Sequence, residues 1–301
     1  MADVLVVGSI NQDFVLKVDR RPQPGETVTG AVLSLHNGGK GANQAAAAAL
    51  LGASVAMLGR VGDDDLGDPL VDALEEKGID TSLVDSIEDE STGAAFITLT
   101  PDGENAITVA PGANRRVRPE DVNAASEDIG RALVLVAQME VSPETVSRAV
   151  AVAAAADTRA VVNLAPPMEL PPEAMEKLDP LVVNEHEAAF LLGSAVKEVE
   201  GALAAGPRLL ELGPRSVVIT LGADGAVVAD GDSAEHVASP KVEVVDTTGA
   251  GDAFVGALAA KLAGSSSLKE AVSYAVRAGA AAVAKEGAQG ALPTHETVEG
   301  L

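Results

Sequence analysis

The residues Asp246-Thr247-Thr248-Gly249-Ala250-Gly251-Asp252-Ala253-Phe254 join a short β-prone run, 242–245, to an apolar helical pattern over 253–262. A strand, a glycine turn and a helix start bring free backbone N–H groups to one point. The helix macrodipole adds positive potential there, so the spot suits an anion such as phosphate. A carboxylate in that setting, Asp252, would repel the phosphate. Its presence makes sense if it takes a proton from a hydroxyl while the amides hold a phosphoryl group. The pattern reads as phosphoryl transfer to an alcohol. The plainer alternative is a common α/β turn in which Asp is an ordinary helix-start residue. Neither of the better-known phosphate fingerprints is present. Gly38-Gly39-Lys40 is followed by Gly41, which breaks G-x-x-x-x-G-K-[ST], and Phe254 stands where G-x-G-x-x-G needs glycine.

A second candidate lies upstream at Asn37-Gly38-Gly39-Lys40-Gly41-Ala42-Asn43-Gln44, ahead of an alanine run over 45–49. It too looks like a glycine turn opening a helix, with Lys40 and Asn43 offering polar contacts to a ligand near the backbone. Standing alone, it would be a tight turn with a solvated lysine. Elements able to position both turns follow from the pattern of the chain. Val4–Val7 reads as a buried strand, with residues 8–13 at its carboxyl end. Residues 14–19 and 28–35 read as β segments, and 94–100 and 106–109 as a strand pair joined at Pro101-Asp102-Gly103. Further strands are expected at 132–137, 160–164, 181–184 and 217–221, alternating with helices. One of those helices opens at Ser142-Pro143-Glu144, where Ser142 can cap and Pro143 suits the first helical position. Such βα repetition predicts a mostly parallel α/β sheet with helices on both faces and ligands beyond the carboxyl ends of the strands.

Taken together and in this order, the motifs resemble those of the ribokinase-like sugar kinases, the phosphofructokinase-B family. The resemblance begins at Gly8-Ser9-Ile10-Asn11-Gln12-Asp13 and runs through Pro24-Gly25-Glu26-Thr27, 38–44, Gly62-Asp63-Asp64, Ser91-Thr92-Gly93 and Gly112-Ala113-Asn114. It continues at Asn184-Glu185-His186-Glu187, Thr220-Leu221-Gly222, 246–252 and Gly287-Ala288-Gln289. It implies one kinase domain over 1–301, with the β segments at about 11–37 and 92–110 inserted as a small β-lid that covers the sugar and builds a homodimer. The implied reaction is ATP-dependent phosphorylation of D-ribose at its 5-hydroxyl. A kinase for ribose 1-phosphate, a nucleoside or another small sugar is the alternative within enzymes. A catalytically silent sugar-binding regulator is the alternative outside them.

Residue by residue, the resemblance makes Asp252 the catalytic base and the amides of Gly249, Ala250 and Gly251 the anion hole. It places Asn11, Asp13, Gly38, Gly39, Lys40, Asn43 and Glu140 around the sugar, where carboxylates and amides suit adjacent hydroxyls. Asn184, Thr220, Gly222 and Gly225 match the nucleotide-binding turns. Glu187, with Asn184, is expected to organise Mg²⁺ through water. A monovalent-cation loop, taking K⁺ as activator, would use Asp246, Thr248, Ala282, Lys285, Gly287 and Ala291, mostly through backbone carbonyls. Ala291 supplies no side-chain oxygen there, and Val276 occupies a place near the adenine that is often His or Asn. Arg115, Arg116 and Arg118 form the densest basic cluster. It is a solvated face or, on the sharper reading, a clamp for an already phosphorylated substrate.

Composition bounds the rest. The chain of 301 residues has 45 acidic side chains against 21 Lys and Arg, a net charge of −24, and no Cys. Disulfides and thiolate catalysis are excluded, and the charge argues against nucleic acid or an anionic membrane surface as partner. Met1-Ala2-Asp3 carries no basic leader and Val4–Val7 is too short for a signal core, so a cytoplasmic location is expected. The acidity itself reads as adaptation to a salty cytoplasm, because salt screens the self-repulsion of such a surface.

Overall fold

The computed structural model describes residues 2–101, 105–231 and 233–301; the expected turn at Pro101-Asp102-Gly103 lies largely outside the described residues. In chain order the strands are β1 (Val4–Val7), β2 (Asn11–Lys17), β3 (Val32–Gly38), β4 (Val55–Gly62), β5 (Asp80–Ile87), β6 (Gly93–Leu99) and β7 (Asn105–Ala110). They continue with β8 (Val134–Gln138), β9 (Arg159–Asn163), β10 (Leu178–Asn184), β11 (Ser216–Thr220), β12 (Ala226–Asp230) and β13 (Ser233–Val237). Among the described residues they form a nine-stranded sheet, ordered β13-β12-β11-β10-β9-β8-β1-β4-β5, and a four-stranded sheet, β3-β2-β6-β7. Pairing in the large sheet is parallel from β11 to β5 and antiparallel only at β11–β12 and β12–β13.

The centre of the large sheet is buried on both sides because strands such as β1, β8 and β11 carry apolar side chains at nearly every position rather than at alternate ones, while the edge strands β5 and β13 are more polar and partly exposed. Val4 and Val6 enter one core with the helices Lys40–Leu50, Ala250–Ala263 and Leu268–Ala282. Leu5 and Val7 face the other core, with the helices Pro143–Ala155 and Glu198–Leu210. The helix Pro143–Ala155 starts as its sequence implies, with the Ser142 side chain accepting from Thr145 N–H at 3.2 Å and Pro143 next. Each fully buried Leu or Val stabilises the fold by roughly 1.5–3 kcal/mol, which makes these two layers the rigid platform for the site.

One close packing decides where the two glycine motifs sit. A Cβ at Gly256 would lie 2.5 Å from the Ala47 Cβ, 2.6 Å from the Gln44 carbonyl oxygen and 2.8 Å from Ala48 N. Glycine facing an alanine run lets the helices Lys40–Leu50 and Ala250–Ala263 touch nearly backbone to backbone. Their N-terminal ends are thereby brought together from positions over two hundred residues apart.

Several motif segments turn out to brace the frame. The Asp64 carboxylate accepts from Thr92 N–H at 2.8 Å and from the Thr92 hydroxyl at 2.6 Å, while the Thr92 hydroxyl oxygen accepts from Gly62 N–H at 3.0 Å. Asn114 clamps the turn between the sheets, its Oδ1 accepting from Ile10 N–H at 2.9 Å and its Nδ2 donating to Asn11 Oδ1 at 2.7 Å.

Three local expectations differ from the fold. Residues 242–245 form no strand; Val244 and Val245 are exposed, and Val245 N–H donates to the Val283 carbonyl at 2.8 Å, outside any ladder. The second β segment runs Val32–Gly38 rather than 28–35, because its register with β2 pairs Asn11 with Gly38 and Lys17 with Val32. Asn11, Gln12 and Asp13, expected at the carboxyl end of β1, are the first residues of β2.

Candidate active site

Gly249 adopts φ +77° as the cap of the helix Ala250–Ala263, a left-handed conformation that favours glycine. The turn leaves Asp252 in the first helical turn, 7% exposed. Its Oδ2 accepts from Asn43 Nδ2 at 2.9 Å and its Oδ1 from Gln44 Nε2 at 3.0 Å. A Cβ on Gly251 would meet nothing within 4 Å, so the helix start opens onto free space beside this carboxylate. Of the expected anion-hole amides, Ala250 N–H already closes the turn onto the Thr247 carbonyl at 3.3 Å.

The other motif faces it. Gly39 caps the helix Lys40–Leu50 at φ +88°, where a Cβ would lie 2.8 Å from both Asn11 N and the Ser9 carbonyl oxygen. At Gly38 a Cβ would fall 2.2–2.4 Å from the Asp13 carboxyl group, so a larger residue there would have to push the Asp13 side chain aside. Glu140 accepts from the Ser9 hydroxyl and, at 3.1 Å, from Lys40 N–H. The Asn43 Oδ1 atom is buried without a hydrogen-bond partner.

Electrostatics tie these residues into one site. Burial, then Glu140 and Asp252, push the Asp13 carboxyl up to about 7, with Lys40 pulling the other way. Burial alone would lower the Lys40 ammonium, but Asp252, Glu140, Glu187 and Asp13 outweigh it and hold its pKa above the ordinary lysine value. One partly buried cation among four carboxylates makes a strongly polar cluster at the carboxyl end of the sheet.

The expected nucleotide and metal residues lie along the same edge. Asn184 and Thr220 are paired neighbours at the ends of β10 and β11. Gly225, at φ +92°, has no room for a side chain, since a Cβ would meet the Val237 carbonyl oxygen at 2.1 Å. Asn184 and Glu187 cap the helix Glu185–Leu192 reciprocally: Glu187 N–H donates to Asn184 Oδ1 at 2.9 Å, and Asn184 N–H to Glu187 Oε2 at 2.7 Å. Burial raises the Glu187 pKa, with the Asn184 N–H and Lys40 opposing it.

Asp246 anchors the loop before the glycine turn, accepting from Thr248 N–H and from Gly287 N–H at 2.9 Å each. Burial works against this carboxylate, but the Thr248 hydroxyl and those two N–H groups outweigh it and lower its pKa. Lys285, Gly287 and Ala291 belong to the segment tied down in this way, after Ala282 at the end of its helix. Val276 is buried in the core. Arg115, Arg116 and Arg118 are exposed; Arg116 is ion-paired with Glu90, and Arg118 N–H donates to Asp121 at 2.8 Å.

The sequence singled out Asn43 but assigned nothing to Gln44, Gln138 or Asn163, which line the same site. A polar residue ending a run of apolar strand residues, as Gln138 ends 134–137 and Asn163 ends 160–162, is the available signal.

Comparison with known proteins agrees with this geometry. The pfkB family carbohydrate kinase profile matches residues 1–295. The ribokinase of Haemophilus influenzae is 37% identical over 297 residues, 98% of this chain and 97% of that protein. A deoxyribokinase of Salmonella typhi is 36% identical over 295 residues, 98% and 96% of the two chains. The structure of Arabidopsis thaliana ribokinase with ribose and ATP superposes with a TM-score of 0.92 at 30% identity, covering 99% of this chain and 98% of that one.

Proposed function

The chain belongs to the pfkB family of carbohydrate kinases, and from that membership we propose that it is an ATP-dependent D-ribose kinase forming ribose 5-phosphate. The observation that carries the reading is Asp252, a buried carboxylate held by two amides at an open, glycine-capped helix start. Asn11, Asp13, Gly38, Gly39, Lys40, Asn43 and Glu140 hold the sugar, and the partnerless Asn43 Oδ1 accepts from one of its hydroxyls. Asp252 takes the proton of the attacking hydroxyl. The amides of Gly249 and Gly251, aided by Ala250 and the helix dipole, stabilise the charge of the transferred phosphoryl group. Asn184, Thr220, Gly222 and Gly225 seat the nucleotide.

Both Glu187 oxygens already accept from Asn184, which fits Mg²⁺ held through water rather than directly. When bound, the ion would shield the phosphate charge. The monovalent-cation loop around Asp246, Thr248, Ala282, Lys285, Gly287 and Ala291 relies on carbonyl oxygens. The Gln289 Oε1, buried without a partner in the same segment, is a further acceptor there.

The four-stranded sheet is the lid and the dimer surface. Phe14, Leu16, Leu33, Leu35 and Phe96 share its face away from Asp13, and Phe14 stacks on Phe96 at 5.1 Å. Phe96 stays 46% exposed, as a face awaiting a partner would leave it.

A phosphosugar acceptor is disfavoured because Arg116 is already committed to Glu90. The near-equal similarity to a deoxyribokinase makes 2-deoxyribose the competitor to test. The deciding assay couples ADP release to a dye in high KCl, with ribose, 2-deoxyribose, ribose 1-phosphate and nucleosides as acceptors. Ribose should give the highest kcat/KM and a 5-phosphate by ³¹P NMR; a higher value for any other acceptor overturns the assignment.

A further inference from the structure

Asp252 occupies the third position of its helix, where an acidic side chain ordinarily folds back onto the cap residue's N–H. Glu187 does so at the corresponding position of the helix Glu185–Leu192, accepting from Asn184 N–H. Asp252 does not; its two oxygens are drawn across to the neighbouring helix by Asn43 and Gln44. The difference matters chemically. An Asp252 folded onto its own helix would cover the amides that face the phosphoryl group and turn its lone pairs away from the acceptor hydroxyl.

Gln44 is itself pinned in one orientation. Its Nε2 donates to Asp252 Oδ1 at 3.0 Å and to Asn163 Oδ1 at 3.1 Å, and its Oε1 accepts from Gln138 Nε2 at 2.7 Å. Flipping the amide would set Oε1 against the Asp252 carboxylate and two NH₂ groups against each other. Asn163 donates in turn to the Val182 carbonyl at 3.4 Å. Gln44, Gln138 and Asn163 are all buried, at 1%, 0% and 8% exposure. Buried amides cost stability unless paired, and apolar residues would fill this space at less cost. We propose that Gln44 is a positioning residue that holds Asp252 off its own helix start, with Gln138 and Asn163 fixing Gln44 in the orientation this requires. The inference rests on Asp252 being the base.

The test is a double-mutant cycle on the intact enzyme, with Gln44→Met, a near-isosteric change lacking the donors, and Asp252→Asn. Gln44→Met should lower kcat by about 10- to 100-fold, as expected for losing one hydrogen bond to a charged group. The KM for ribose should stay within about threefold, since no sugar contact is removed. In the Asp252→Asn background, whose residual turnover is followed over hours, Gln44→Met should cost nothing further. Gln138→Met leaves both bonds to Asp252 but frees Gln44, and should give a smaller kcat loss of about 3- to 10-fold with the same cancellation. It carries the test if Gln44→Met does not fold. Penalties that multiply in the double variant, or that fall on ribose KM instead of kcat, overturn the positioning role alone. An Asp252→Asn enzyme retaining more than about a tenth of its activity overturns the base reading beneath it.

Discussion

Replacing Gly256 by Ala tests whether the contact between the two site helices sets the catalytic geometry. The added methyl would stand 2.5 Å from the Ala47 Cβ, and 2.6 and 2.8 Å from backbone atoms of Gln44 and Ala48. Ordinary carbon contacts begin near 3.4 Å, so the helices must separate by ~0.9 Å, and backbone atoms cannot rotate out of the way. Overpacking of this kind costs about 1–3 kcal/mol, or roughly 2–5 °C in Tm for a chain of this size. The functional cost is separate. Gly38, Gly39, Lys40 and Asn43 travel with one helix and Asp252 with the other, so the proposed sugar site would move away from the proposed base as a unit. A shift near 1 Å can cost about a hundredfold in rate. Steady-state kinetics should show kcat lowered about 10- to 100-fold, with ribose KM changed less than about threefold. A partial recovery is expected from Ala47→Gly in the same chain, which removes one of the three collisions. A Gly256→Ala enzyme with lowered Tm but full kcat would refute the idea that this packing aligns the site.

Asp13, with its pKa raised from 3.8 to about 7, should destabilise the ligand-free fold as it ionises, so stability falls as pH rises between those values. Asp13→Asn should accordingly raise Tm over the parent more at pH 8 than at pH 5 by differential scanning fluorimetry, while weakening ribose binding; an equal offset at both pH values would contradict this. Gly225→Ala, colliding with the Val237 carbonyl oxygen, should raise the KM for ATP more than that for ribose, and an unchanged ATP KM would remove this turn from the nucleotide site. The dimer proposed for the parent should give way to a monomer by light scattering in Phe96→Asp, which places charge on the exposed apolar face of the four-stranded sheet. With its net charge of −24, the protein should gain Tm from dilute buffer to 1 M KCl or NaCl alike, and a flat response would rule out salt adaptation.

Much of the site was legible because its chemistry is local. Glycine turns followed by apolar helical runs point to both helix starts, and the structure gives Gly39 and Gly249 as their caps, each at positive φ. The parallel platform followed from unbroken apolar strands alternating with helices. What escaped the sequence depends on distant partners. The span of β3 is fixed by pairing with β2 and by the Asp13 carboxyl lying across Gly38, neither of which is visible in residues 28–35. Residues 242–245 have strand-like composition, yet Val245 is held by the Val283 carbonyl rather than by a neighbouring strand. Gln44 lies 94 residues from Gln138 and 119 from Asn163 in sequence, so their meeting behind Asp252 has no periodic trace.

On the proposed mechanism Asp252 takes the proton from the sugar hydroxyl during phosphoryl transfer. The most direct test of this step is the turnover of Asp252→Asn with ribose and ATP, set beside its ribose affinity by calorimetry. A kcat loss of about 10²–10⁴ is expected, with ribose affinity kept within about tenfold, since general-base assistance acts in the transition state. Retention of more than about a tenth of the parent rate, in a folded enzyme that still binds ribose, would contradict it.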